Sequence, residues 1–498
     1  MELDRQVIIL SFIFLYMVLI IMVGIWAMRR TKSASDFFVA GRSLGPIVVG
    51  MAVFSSTMSG FGFVGGPGLV YNTGISSVWM AISNSFGFGV GFFLVAKRIR
   101  MIAEVRKTIS LPDVVAARYG SETARFLTAI TIVLGVMGYL ATQILAMAIV
   151  LQTLLRATEV FADIGLVTCV VISSTVLIFY CVTGGIIASV YTDLIQGCIM
   201  LVAGVLVVIT AANVFEGGLA EASTIILGND SETIMPFGTI GVFGCFAWFF
   251  LFGLGLAGQP QIVTKMMMNR KISDNRFILP LSVVGYAVSA MLWISVGVVM
   301  RALVVGNLHL PLTAADAATP AFLSAFTNPW LAGIVFASLF AAIMSTADAF
   351  LNIGAAAIIH DIPKAIRGRV VKKELFWARW ATIILAVIAA LFAVYSFYMN
   401  DRLIALLGAF GWGTFAAALV PVVAIGLNWK RASRKGAITA IIVSLVINFA
   451  LELFEIPVPF GISGGFIALL VSTILFIVIS LLSMKEEIPK DISRIMDI

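Results

Sequence analysis

Charge is scarce in this sequence. Asp, Glu, Lys and Arg make up 11% of the 498 residues, against 61% hydrophobic. A soluble chain of this length needs far more charge to cover its surface. Histidine is scarcer still: His309 and His360 are the only two, too few for a metal centre of usual design. The four cysteines, Cys169, Cys181, Cys198 and Cys245, lie inside apolar runs without metal-ligand spacing and read as buried free thiols. No motif points to an ATP-binding partner, and no stretch leaves room for a soluble catalytic domain.

Long apolar runs are what the chain has instead. Residues 7–28 hold 22 consecutive positions without a charge, and a helix crosses the hydrocarbon core with about 20. The first run is too long for the apolar region of a signal peptide, lacks a basic leader and is followed by RRTK, so it reads as a retained helix. The runs predict an all-α polytopic membrane protein of thirteen transmembrane helices: 6–28, 46–71, 77–97, 122–155, 162–187, 189–213, 239–262, 277–303, 329–358, 377–399, 403–427, 436–454 and 463–483.

Lys and Arg choose the sides. Alternate loops (29–45, 97–125, 264–276, 360–380, 428–435 and 484–498) carry 28 of the 32. Arg5, Arg156 and Arg402 lie on the other side, with Arg301 at a helix end. The basic side is cytoplasmic by the positive-inside rule. The N-terminus is therefore expected outside and the C-terminus inside, in the cell (inner or plasma) membrane. The net charge of +7 is then a topology signal and not a sign of nucleic-acid binding. Segments 214–238 and 304–328 read as outer connectors or caps.

Glycine spacing raises a specific question. Gly60, Gly62 and Gly65 fit G-x-G-x-x-G, as do Gly253, Gly255 and Gly258. A dinucleotide fingerprint needs a strand before it and an acidic residue about 20 positions on. Both copies lie instead inside membrane-length runs. Two readings remain: close helix packing through small residues, or helix breaks, with Pro67 and Pro260 alongside. The clusters fall in predicted helices 2 and 7, at matching places in two five-helix units of opposite orientation. That is the pattern of a secondary transporter with broken helices at its binding site. The expected organisation is 1–45 (first helix and loop), 46–213 (first repeat), 214–238 (outer loop), 239–427 (second repeat) and 428–498 (helices 12–13 and tail).

Polar residues inside the apolar runs fit a hard cation, which takes oxygen ligands. In predicted helix 9, Ala342, Ser345 and Thr346 share one face. The two hydroxyls either ligate an ion or bond back to the preceding turn. SSTMSG (55–60) precedes the first break, where carbonyls lose their partners. Asp348 sits inside an apolar helix, where a carboxylate is costly and functional by default. Asp193 is either functional or a charge at a helix end.

These pieces together resemble the sodium/solute symporters, and most of all their sodium/proline branch. The matching segments are DFFVAGRSLG (36–45), MSG (58–60), GGIIASVYTDLIQG (184–197), GLGLAGQP (253–260), AAIMSTAD (341–348) and LNWKRASRKGA (427–437). The resemblance implies the leucine-transporter fold, a five-plus-five inverted repeat, and sodium co-transport by alternating access. It places a sodium on the carbonyls of Ser55, Met58 and Ala342 and the hydroxyls of Ser345 and Thr346. It assigns a coupling role to Asp193. Some relatives hold a second sodium near that carboxylate, where this chain has Asp348 and Ala349. The solute pocket departs from the proline pattern, with Thr57 in place of Asp and Phe252 and Leu256 in place of Trp and Tyr. Ser59, Gly60, Phe61, Gln143, Phe252, Leu256, Gln259 and Pro260 are the candidate solute residues.

The reading is a sodium-coupled importer of a small carboxylate-bearing solute, such as an amino acid or monocarboxylate. Proton coupling through Asp348 and Asp193 is the alternative. A channel or an intramembrane enzyme is remote. An enzyme would need a nucleophile–base pair at membrane depth, and the two histidines fall on opposite predicted sides.

Overall fold

The computed structural model describes residues 4–399 and 404–498; Arg402 and the first residue of the predicted 403–427 helix lie outside them. The principal helices are α1 (Arg5–Met28), α2 (Pro46–Ser55), α3 (Gly66–Thr73), α4 (Val78–Gly91), α5 (Glu122–Arg156), α6 (Leu166–Ala212) and α7 (Gly241–Gly255). They continue with α8 (Pro260–Lys265), α9 (Asn275–Val305), α10 (Pro329–Ala356), α11 (Glu374–Met399), α12 (Ile404–Leu419), α13 (Arg434–Leu453) and α14 (Gly464–Leu482). Among the described residues the only strand-like pairing is one isolated bridge, Leu44 with Asn269. Eleven helical stretches there are long and apolar enough to cross a membrane, and Pro46–Ser55 and Leu166–Phe179 are shorter apolar helices.

Burial locates the core. The most apolar stretch of α10 is 94% buried, against 28% for α1 and 33% for α13 and α14. Helix α10 is therefore central, packed against α6, α1 and α5, while the others turn apolar faces outward to lipid. Helices at 218–229 and 318–326 fill the connectors 214–238 and 304–328. An Arg301–Asp230 ion pair fastens the first of these to α9.

One expectation moves slightly and one needs correction. Predicted helices 5 and 6 are the two arms of α6, which meet at Gly185 (non-helical φ 56° and ψ −155°), a few residues before the expected boundary. That conformation is open only to glycine, and a Cβ there would also lie 2.5 Å from the Phe37 ring. Of the four thiols, Cys198 is exposed on α6, and only the other three are buried.

The chain leaves helical geometry at both glycine clusters. Helix α2 ends at Ser55, and a π-turn at Phe61–Gly65 leads into α3. Between them Ser59 and Gly60 supply no regular i+4 backbone donors to Ser55 and Ser56; Gly60 N–H donates instead to Gln143 Oε1 at 2.9 Å. Helix α7 passes through a 3-10 turn, Leu256–Gly258, to an extended Gln259 with ψ 111°. A residue before proline is pushed out of helical space, and proline brings no N–H; Pro260 accounts for this break. The glycines also serve close packing. A Cβ on Gly60 would come within 2.9 Å of Ala146 and Ile343, and one on Gly255 within 2.6 Å of Trp412. Packing and breaking thus occur together at these clusters.

Candidate functional site

The end of α2 meets the middle of α10. Ser345 Oγ lies 3.0 Å from the Ser55 carbonyl and 3.0 Å from that of Ala342. Thr346 Oγ1 lies 3.4 Å from the Ser56 carbonyl and 3.3 Å from Ala342 O. Each hydroxyl has one proton and can satisfy one carbonyl at a time. The arrangement therefore concentrates more oxygen acceptors than donors, the condition a hard cation relieves. Back-bonding within α10 and contact across to α2 are both present. Met58 lies in the irregular stretch, its N–H on Phe54 O at 3.1 Å.

Asp193 is no helix-end charge. It is fully buried, and Lys265 Nζ donates to its Oδ2 at 2.6 Å. The same ammonium reaches Ala52 O at 3.2 Å and bonds Ser56 Oγ. Ser56 Oγ in turn donates to Ser345 O at 3.1 Å. Lys265, at the foot of α8 and 1% exposed, thus ties the second break to the first and to α6. From sequence it counted as a loop charge in 264–276. Its position five residues after Pro260 was the one available signal that it lies within a helix. Asp348 has other company: it is buried and accepts from Ser189 Oγ at 2.9 Å. It lines a small cavity at the Gly185 bend with Phe37, Cys181 and Asn352.

The candidate solute residues divide. Phe61 lies 6.1 Å from the Phe252 ring and edge-on to Trp293 at 5.7 Å; Phe252 is 5.5 Å from Trp412. Ser59 Oγ is 3.4 Å from Tyr139 Oη. Gln259 Nε2 donates to Trp412 O at 3.2 Å. Three buried polar atoms around this aromatic group have no partner among the described residues: Gln143 Nε2, Gln259 Oε1 and Trp293 Nε1. Leu256 departs from the group and packs on α4, where a Cβ at Gly87 would sit 3.0 Å from its own. Pro260 is buried at the start of α8. Tyr139, Trp293 and Trp412 escaped sequence reading because an aromatic in an apolar run looks like any core residue.

The sodium:solute symporter family profile matches residues 37–444. This chain belongs to the sodium:solute symporter family. The sodium/proline symporter of Escherichia coli (strain K12) is 30% identical over 443 residues, 85% of this chain and 83% of that protein. The sodium/proline symporter of Staphylococcus aureus (strain NCTC 8325 / PS 47) is 27% identical over 500 residues, 97% of this chain and 94% of that protein. A substrate-bound, outward-open Na+-coupled sialic acid symporter superposes with TM-score 0.79 at 19% identity, covering 96% of this chain and 98% of its own. Mhp1, a nucleobase-cation-symport-1 family transporter, gives TM-score 0.57 at 16% identity over 93% of this chain and 98% of its own. The fold is that of leucine-transporter-type carriers. As a sodium:solute symporter the chain is a membrane transporter and not an enzyme, and sodium is its co-transported ion.

The symporter also carries a polar cluster at the foot of α10 that sequence reading missed. Asp113, on the short helix Leu111–Tyr119, is bonded by His360 Nε2 at 3.0 Å, Lys364 Nζ at 2.8 Å and Arg125. His360 Nδ1 is 2.7 Å from Glu374 Oε1, and Ser110 Oγ donates to Asp361 Oδ1 at 2.6 Å. Burial raises the Asp113 carboxyl, but the hydrogen bonds and charges of His360, Lys364 and Arg125 outweigh it. They hold it well below the ordinary carboxylate range. Asp113, His360 and Asp361 stand close enough to share an ion, but Arg125 and Lys364 already supply the positive charge there.

Proposed function

We propose that the symporter imports a small solute bearing a carboxylate, of the amino acid or monocarboxylate class, together with sodium. The observation that carries the ion assignment is the pairing of Ser345 and Thr346 hydroxyls with the freed carbonyls of Ser55 and Ser56. Sodium would sit among Ser55, Met58, Ala342, Ser345 and Thr346, replacing hydroxyl–carbonyl contacts with ion–oxygen contacts. The solute reading rests on the unpartnered polar atoms. Gln143 Nε2 and Trp293 Nε1 are donors suited to a carboxylate, and Gln259 Oε1 is an acceptor suited to an ammonium. Each is costly to bury without a partner, at about 1–3 kcal/mol. The aromatic rings of Phe61, Phe252, Trp293 and Trp412 supply the apolar wall. The sodium/proline symporters named above are consistent with an amino acid, while Thr57 and Phe252 depart from the proline pattern.

In this reading the chain spans the membrane thirteen times, with its N-terminus outside. Residues 46–213 and 239–427 are inverted repeats, each opening on a broken helix. The Lys265–Asp193 pair couples the two breaks, so that ordering one by sodium biases the other.

The test is binding of labelled amino acids and small carboxylates to purified protein, with sodium or potassium at fixed ionic strength. The expected result is a solute that binds more tightly in sodium, with Ser345→Ala and Thr346→Ala abolishing the difference. Unchanged sodium dependence in both variants would overturn the ion assignment. Proton coupling is the second reading, favoured by buried Asp348. It requires uptake driven by a pH gradient without sodium and lost in Asp348→Asn.

A further inference from the structure

A pocket of about 520 Å³ opens where α1 ends and α11 begins. Lys32, Ser33, Lys373, Glu374, Phe376 and Arg379 line it. Three cations meet there, and none has an ion-pair partner among the described residues; Arg379 Nε is buried without any hydrogen bond. The nearby acids are engaged elsewhere. Glu374 accepts from His360 at 2.7 Å, and Asp36 accepts from the Lys32 and Ser33 N–H groups at 3.3 and 3.1 Å within its own capping turn. The pocket therefore keeps a net positive charge.

Its surroundings say what kind of anion fits. Both α1 and α11 are membrane-length helices, so their shared end lies at the boundary between hydrocarbon and water. Phe376, Trp377 and Trp380 are each about half exposed on the first turns of α11. Trp26, with the Arg30 guanidinium 4.3 Å over its ring, stands at the matching end of α1. Exposed aromatics beside Lys and Arg mark the headgroup level of a bilayer. A free anion would gain nothing from these rings, whereas a lipid would lay its acyl chains along them.

We infer that this pocket binds the phosphate headgroup of an anionic phospholipid. Lys32, Lys373 and Arg379 would hold the phosphate, with the aromatic turns of α11 against the glycerol and upper chains. Glu374 then gives the site a route inward. It bonds His360 in the segment that continues α10, so headgroup binding steadies the join between α11 and the helix carrying Ser345 and Thr346. This inference does not depend on which solute is carried.

Native mass spectrometry of the full-length protein tests it, with phosphatidylglycerol, phosphatidylcholine and inorganic phosphate added in separate titrations. Phosphatidylglycerol should be retained in preference to phosphatidylcholine. Each cation removed should lower its occupancy about fivefold, in line with the strength of one basic residue at an anionic surface. The triple variant K32Q/K373Q/R379Q should lose the preference, and the charge-preserving pair K373R/R379K should keep it. Should the triple variant fail to fold, the three single Gln variants must each show the fivefold loss. Equal retention of the two lipids, or a preference unchanged by Gln substitution, would overturn the inference. Displacement of the lipid by inorganic phosphate at matched concentration would show a free-anion site and overturn the lipid assignment.

Discussion

Breaking the Lys265–Asp193 pair from one side leaves a charge stranded beside the end of α2. Removing one partner of a buried pair costs about 3–5 kcal/mol, whereas removing both together costs much less. Lys265→Met should therefore lower the thermal midpoint sharply, and the Lys265→Met/Asp193→Asn double variant should recover most of it. The double-mutant cycle, read by thermal unfolding in detergent, checks this; strictly additive losses would mean that the pair is not coupled. Transport should not recover with stability, because the double variant still lacks the cation that joins the breaks. This residue also shows a limit of sequence reading. A lysine near a helix end counts toward topology by its charge alone. Only the packing of α8 against α2 and α10 turns it inward. Ser345 and Thr346 were legible because their spacing puts two hydroxyls on one helical face. The orphan atoms of Gln143, Gln259 and Trp293 were not, since a missing hydrogen bond has no sequence signature.

The broken elements and the foot of α10 make separate predictions. Pro260→Ala restores an N–H and releases Gln259 from the constraint of a following proline. The variant should be as stable as the parent or more so, yet carry solute at least tenfold more slowly, because the α7–α8 join would close into regular helix. Uptake initial rates beside a thermal melt separate the two effects, and unimpaired uptake would count against a working break. At the foot of α10, Asp113→Asn should cost roughly 1–3 kcal/mol at neutral pH by stranding His360, Lys364 and Arg125. The sign with pH follows from the depressed carboxyl. Its contribution is full above the unfolded value near 4 and is lost as pH falls through the lower folded value. The gap between parent and variant should thus narrow as pH falls below about 4. Melting both from neutral pH downward checks it. At this scale the glycine and proline punctuation marked the two places where the chain leaves regular α-helix. The turn between predicted helices 5 and 6 falls at Gly185, a few residues before its expected place, because a glycine at positive φ turns the chain without any polar interruption.

Across the whole molecule the ion and the solute answer to one another. Sodium at 100 times its dissociation constant should stabilise the folded symporter by about 2.7 kcal/mol. By linkage, the factor by which sodium tightens solute binding must equal the factor by which solute tightens sodium. Titrating each ligand at fixed concentrations of the other measures both factors; unequal factors at equilibrium would mean that more than one ion or proton takes part. The membrane class and the family were legible because they rest on composition, run length and segments spread over nearly the whole chain. Contacts between distant runs were not, and these are what bring Trp412 to Phe252 and Lys265 to Asp193.

The placement of the two ligand sets has a consequence for how such a carrier can diversify. The proposed ion ligands come from the end of α2 and from α10, whose most apolar stretch is 94% buried. The aromatic and amide groups around Phe61 are drawn instead from α5, α7, α9 and α12 and from the extended Gln259 before α8. The Ser59–Phe61 stretch is common ground. A lineage could therefore exchange one cargo for another by changing side chains on those four helices, one at a time, while the ion-driven engine on α2 and α10 stays untouched.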